Sequence, residues 1–190
     1  MEKEKKKRPA KGCPGYIDAQ KKSRIMKTLL YVLIGIAIFV LGLCLNKFEK
    51  SNIFTVIAVL MVLPAAKALI SVIVLLPYRS VEEGTVLKVQ ELLSGEDIMY
   101  TDMVFTSRDK VMFLSFLVIA KDEILCLAGR EKEDIPYIEK YLKDELKKRM
   151  LLKKFYITKE PKKFMERVAH LEPADEVPDE LTAYLLSLMV

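Results

Sequence analysis

The chain has 190 residues and a formal net charge of +5. It is 52% hydrophobic and 30% charged, so its apolar and charged residues are expected to lie in separate segments. The first 27 residues hold ten basic and three acidic side chains, which leaves the remainder nearly neutral and argues against a globular domain that binds nucleic acid.

Residues 1–27 form a basic tail in front of the first apolar segment. We expect this tail to contact anionic lipid headgroups, with each cation near the surface contributing about 1 kcal/mol. The residues predicted to make this contact are Lys5, Lys6, Lys7, Arg8, Lys21, Lys22 and Arg24.

The apolar residues 28–78 predict a transmembrane helical hairpin. Its first span, 28–46, is uncharged and reaches roughly 28 Å as a helix, which is close to the thickness of a hydrocarbon core. The second span, about 52–77, is longer than the core requires, so part of it must leave the hydrocarbon.

Lys67 is a charged residue inside the second span, and it has two interpretations. It can mark depth, with a snorkelling ammonium that reaches the near headgroups, or it can stay buried and pair with a ligand or a partner's carboxylate. Neither span contains an acidic residue that could pair with it.

Small residues predict where the two spans pack closely. Gly35 and Gly42 lie seven residues apart in the first span, as do Ala58 and Ala65 in the second. In a hairpin that turns near residue 49 or 50, Gly42 is expected level with Ala58, and Gly35 with Ala65.

The distribution of cations predicts the topology, because Lys- and Arg-rich flanks remain cytoplasmic. The tail carries ten cations and the loop between the spans only two. We therefore expect a multi-pass protein of the bacterial inner membrane with both termini in the cytoplasm.

Residues 80–190 predict a small cytoplasmic α/β (α+β) domain of order αβββαβαα. Ser80 and Glu83 match the pattern of a helix amino-terminal cap. Three segments rich in β-branched and aromatic residues follow, at 97–107, 111–120 and 123–129, and they predict an antiparallel meander. The middle segment is apolar at nearly every position, which predicts that both of its faces are covered.

The order αβββαβ is also that of restriction-endonuclease-like folds, but nuclease chemistry requires carboxylates on the second and third strands and a nearby lysine. The second strand has no acid, and Leu125 stands where the lysine would be. Asp102, Asp109 and Asp122 are expected at turns or exposed strand faces, and His170 on the surface. No C-x-x-C pair or nucleotide-binding motif occurs, so we predict no catalytic residue, metal site or cofactor.

The basic tail, the segment "LPAAKALI" in the second span and "YTDMVFTSRDK" before the meander together resemble a family of small two-span bacterial membrane proteins. Some members of this family carry the label "O-linked GlcNAc transferase-like". The resemblance covers most of the chain, and its motifs are structural, so it implies a shared architecture and no mechanism.

The sequence therefore favours a membrane-anchored interaction or scaffolding protein. We expect its partners to be the lipid bilayer and another protein or a second copy of the chain. The alternative is a degenerate nuclease-like or transferase-like enzyme domain tethered to the membrane.

Overall fold

The structure is a computed structural model that describes residues 9–45, 53–93, 97–151, 153–172, 174 and 177–190. It contains two compact units. One comprises Ile17–Pro77, and the other combines the segment that ends at Tyr16 with Tyr78–Val190. The predicted lipid contacts at Lys5, Lys6, Lys7 and Arg8 and the predicted turn near residues 49–50 lie outside the described residues.

The first unit consists of apolar helices. Helix α1 spans Tyr16–Leu45, so it begins well before the predicted span, and α2 (Ile53–Leu60) and α3 (Val62–Leu75) follow. Met61 separates α2 from α3 because Pro64 has no amide hydrogen for the carbonyl of residue 60.

Both Tyr16–Leu45 and Ile53–Leu75 are long and apolar enough to cross a membrane. Only 6% of the most apolar window of each is buried, whereas a core helix of a water-soluble protein is mostly buried. An apolar surface of this extent is characteristic of contact with lipid or another protein. The predicted pair of long apolar helices is therefore confirmed.

The second unit is an α+β domain, as predicted. It contains α4 (Glu83–Leu92), β1 (Ile98–Thr106), β2 (Val111–Ile119), β3 (Glu123–Ala128), α5 (Ile135–Lys147), β4 (Lys154–Thr158), α6 (Pro161–Ala169) and α7 (Asp179–Ser187). The strands form one mixed sheet in the order β1-β2-β3-β4, in which β1, β2 and β3 are antiparallel and β4 runs parallel to β3.

Helices cover both faces of the sheet, as the apolar middle strand predicts. On one face, α5 and α7 pack on side chains such as Leu117 and Cys126. On the other face, α4 and α6 pack on Phe116 and Leu125, and the rings of Phe116 and Phe164 stack 5.8 Å apart. The domain thus has two apolar layers, one on each side of the sheet.

Helix α4 begins differently from the cap predicted at Ser80. Its N-cap is Glu82, which makes no side-chain cap hydrogen bond, and the helix starts at Glu83. The amide of Val81 donates to Asp102 Oδ1 at 2.9 Å, so a tertiary hydrogen bond holds this segment outside the helix.

Candidate functional site

The chain segment in front of α1 belongs to the domain that follows α3. The Thr101 amide of β1 donates to the carbonyl of Gly12 at 2.8 Å, and the Val190 amide donates to the carbonyl of Val104 at 3.1 Å. Tyr16 is 6% exposed and belongs to the core that the sheet forms with α5 and α7. The open edge of β1 is therefore covered by residues from both ends of the chain, which protects an edge strand from unwanted pairing.

The residue that follows the second span is also fixed in the domain. The ring of Tyr78 lies 5.2 Å from that of Phe113, and the Arg130 guanidinium lies 5.3 Å from the Tyr78 ring centroid. Glu133 Oε2 beside them accepts the Phe113 amide at 3.4 Å. Burial raises the pKa of Glu133, and the Phe113 amide and Arg130 only partly offset this effect.

The positions that a nuclease would use carry no catalytic constellation. Arg167 Nη2 donates to both carboxylate oxygens of Glu123, at 3.0 and 3.2 Å, and Leu125 is fully buried. Among the described residues, no three His, Cys, Asp or Glu side chains lie close enough together to hold a metal ion. His170 is exposed, as expected.

Asp102 corrects the expectation of an exposed position. Its side chain is fully buried and accepts the Val81 amide, and its φ of 55° is one that aspartate tolerates better than most residues. Asp109 and Asp122 are exposed, as predicted. A buried acid within a strand cannot be distinguished by composition from one that faces solvent.

Three cations line one cleft in the helical unit. Arg24 and Lys27 of α1 and Lys67 of α3 surround a space of about 410 Å³, and no carboxylate of the described residues lines it. Arg24 Nη1 donates to the carbonyl of Ser71 at 3.1 Å, which fixes the guanidinium at the mouth of the cleft. We call this space the cationic cleft.

A second, apolar cleft of about 580 Å³ lies in the same unit. It includes Tyr31, which also lines the cationic cleft, and three of the predicted packing residues, Gly35, Ala58 and Ala65. A Cβ atom on Gly35 would lie 3.6 Å from that of Met61, an ordinary contact. Gly42 is buried. The small residues thus line a groove between α1 and the second apolar helix.

Of the predicted lipid-contacting residues that are described, the cationic cleft includes only Arg24. Lys21 forms an ion pair with Asp18 at 3.6 Å, and Lys22 is exposed. The grouping of Arg24 with Lys67 was not anticipated, because the register between two helices cannot be counted from the sequence of either one.

No family model matches the chain, and neither the curated proteins nor the solved structures include a significant match.

Proposed function

We propose that this chain is a multi-pass protein of the bacterial cell membrane that presents its α+β domain to a protein partner in the cytoplasm. The observation that carries the proposal is the hydrogen bond between Gly12, before the first span, and Thr101, after the second. Two residues in one folded domain lie on one side of a membrane, so the helices between them cross it an even number of times. The cations before Thr28 favour the cytoplasmic side.

Both connections between the helices and the domain are short. Tyr16 is packed in the domain where α1 begins, and Tyr78 is packed there three residues after α3 ends. Both ends of the helical segment are thus joined in the sequence to residues that are packed in the folded domain.

The second edge of the sheet, β4, supplies a surface for a partner. The Lys154 amide donates toward β3, to the carbonyl of Asp122 at 3.2 Å. Because backbone groups alternate along a strand, the amides of Phe155 and Ile157 face away from β3. An extended segment of another protein, or of a second copy, can add to this edge as a fifth strand.

Cysteine labelling tests the topology. Cys13 is exposed and precedes the first span, so in a chain with Cys44 and Cys126 replaced by alanine it reports the side of the amino-terminal segment. We expect a membrane-impermeant maleimide to label it only after cell lysis. A matched control with Ser51→Cys, between the spans, should be labelled in intact cells. Labelling of Cys13 in intact cells would overturn the proposed orientation.

Strand addition at β4 is tested by a matched pair of variants in the full-length chain. Ile157→Pro removes an outward amide, whereas Ile157→Ala removes the same side-chain packing and keeps the amide. We expect the proline variant to lose co-purification of a stoichiometric partner that wild type and the alanine variant retain. Equal retention by both variants would refute strand addition at this edge.

The alternative is a degenerate restriction-endonuclease-like or transferase-like domain, and the helix α5 between parallel β3 and β4 favours it. The ion pair between Arg167 and Glu123 argues against an active nuclease, because it occupies the carboxylate that would hold the metal ion. Micromolar binding of Mg²⁺ or Mn²⁺ by the full-length chain, lost in Glu123→Gln, would favour this alternative over the scaffold.

A further inference from the structure

We propose that the cationic cleft and the adjoining apolar cleft together form a binding site for one anionic phospholipid. Arg24, Lys27 and Lys67 receive the phosphate group, and an acyl chain occupies the groove that runs past Gly35. This inference stands independently of any protein partner of the α+β domain.

The geometry of the cations fits an anionic headgroup. Arg24 and Lys27 lie one turn apart on α1, and Lys67 faces the same cleft from α3. The hydrogen bond from Arg24 to the Ser71 carbonyl occupies only part of the guanidinium, whose fork can donate further hydrogen bonds. A phosphate accepts such hydrogen bonds from several cations at once.

A counter-charge in this cleft would be favourable. Three cations near the end of a membrane span carry a cost unless they are paired or reach water. Asp18, the acidic residue described in this unit, lies more than one turn before Arg24 and forms its ion pair with Lys21. An anionic lipid supplies the missing charge from the membrane itself, and basic pockets between transmembrane helices bind such headgroups.

The adjoining groove distinguishes a lipid from a soluble phosphate. Tyr31 lines both clefts, so the apolar space lies directly beside the charged one. Both volumes are typical of small-molecule sites, about 300–1,000 Å³. A molecule with an anionic head and an apolar chain matches a charged cleft beside an apolar one. A partner's carboxylate would fill only the charged cleft and leave the apolar one empty.

The site also gives Lys67 a role that joins both interpretations of the sequence. The apolar stretch of the first span begins at Thr28, directly after Lys27, which places these cations at headgroup depth. Lys67 lies about 12 Å before the end of α3 by helix rise, and it lines the same cleft. It therefore both marks this depth and pairs with a ligand.

The test is a titration of the full-length chain in zwitterionic detergent with phosphatidylglycerol. Native mass spectrometry counts the bound lipids, and the thermal midpoint reports affinity. We expect one tightly bound phosphatidylglycerol, a rise in the midpoint, and no comparable rise with phosphatidylcholine or inorganic phosphate. An equal rise with inorganic phosphate, or none with phosphatidylglycerol, would overturn the proposal.

A pair of variants separates a site from general attraction to an anionic surface. Lys67→Gln should weaken phosphatidylglycerol binding at least tenfold. Lys22→Gln removes the same charge from an exposed position outside the cleft. It should weaken binding at most about fivefold, because a cation near an anionic surface contributes about 1 kcal/mol. Equal losses in the two variants would refute a specific site.

Gly35→Leu tests the acyl groove while all three cations remain. We expect it to weaken binding of phosphatidylglycerol but not the residual attraction of glycerol phosphate, which has no acyl chain. Helicity and the midpoint in phosphatidylcholine alone check that the hairpin still folds. Undiminished lipid binding by a folded Gly35→Leu variant would refute the acyl part of the site.

Discussion

Replacing Gly12 with alanine should detach the amino-terminal segment from the edge of β1. Gly12 has φ of +77°, and a Cβ atom there would lie 2.5 Å from Tyr100 Cδ1 and 3.1 Å from Leu186 Cδ2. The left-handed backbone costs a residue with a side chain about 1–2 kcal/mol. Overpacking adds about 1–3 kcal/mol. The total strain is therefore about 2–5 kcal/mol.

Gly15 provides a matched control, because it has nearly the same backbone conformation without the collision. Its φ is +81°, and a Cβ atom would meet only Pro9, at 3.7 Å. Gly15→Ala should therefore carry the backbone cost alone. The difference between the two variants, about 1–3 kcal/mol, isolates the contact with Tyr100.

The assay is hydrogen exchange of the Thr101 amide in the full-length protein, because this amide donates to the Gly12 carbonyl. Local opening of the segment exposes it, so its exchange rate reports the strain directly. We expect exchange to be roughly 5- to 150-fold faster in Gly12→Ala than in Gly15→Ala. Equal rates in the two variants would refute the steric argument.

Three further variants test the α+β domain, each by thermal or urea unfolding of the full-length protein. Gly84→Ala should raise the free energy of unfolding by about 0.5–1 kcal/mol, because a Cβ atom there meets no atom of the described residues within 4 Å. An unchanged free energy of unfolding would contradict this. Burial raises the pKa of Glu133, so the folded state binds the proton of this carboxyl more tightly than the unfolded state does. The free energy of unfolding therefore falls as the pH rises above 4.5, the ordinary pKa of glutamate. Glu133→Gln should therefore stabilise the protein at pH 7 and lose this advantage near pH 4, whereas a pH-independent difference would refute the assignment. Asp134→Ala should lower the free energy of unfolding by about 1 kcal/mol, because Asp134 Oδ1 accepts a hydrogen bond from the Tyr137 amide at the start of α5. Asp134→Asn retains this cap and should lose less stability. Equal losses in the two variants would instead implicate the ion pair between Asp134 and Lys110.

Local patterns in the sequence predicted much of the architecture. The uncharged run after Lys27 predicted the first apolar helix, and the β-branched segments predicted the strands of the sheet. Both predictions succeeded because hydrophobic periodicity and span length are local properties. The start of α5 follows the same logic, with Pro136 in its first turn. Each of these features depends on residues that are neighbours along the chain.

Contacts between distant residues account for what the sequence did not predict. Gly12 pairs with Thr101 across 89 positions, and Asp102 is buried because Val81 donates to it. The cationic cleft likewise requires Arg24 and Lys67 to meet across the hairpin. None of these pairings leaves a pattern in either segment alone, because a register between elements depends on the packing of all the residues between them.

The cover over β1 makes completion of the sheet edge depend on residues that are far apart in the sequence. Until Gly12 reaches Thr101 and Val190 reaches Val104, backbone donors and acceptors on the outer edge of β1 stay exposed. Bare strand edges of this kind recruit chaperones and proteases or seed aggregates. The edge is therefore protected only after Val190 has been synthesised and packed, which makes its closure a late step of folding.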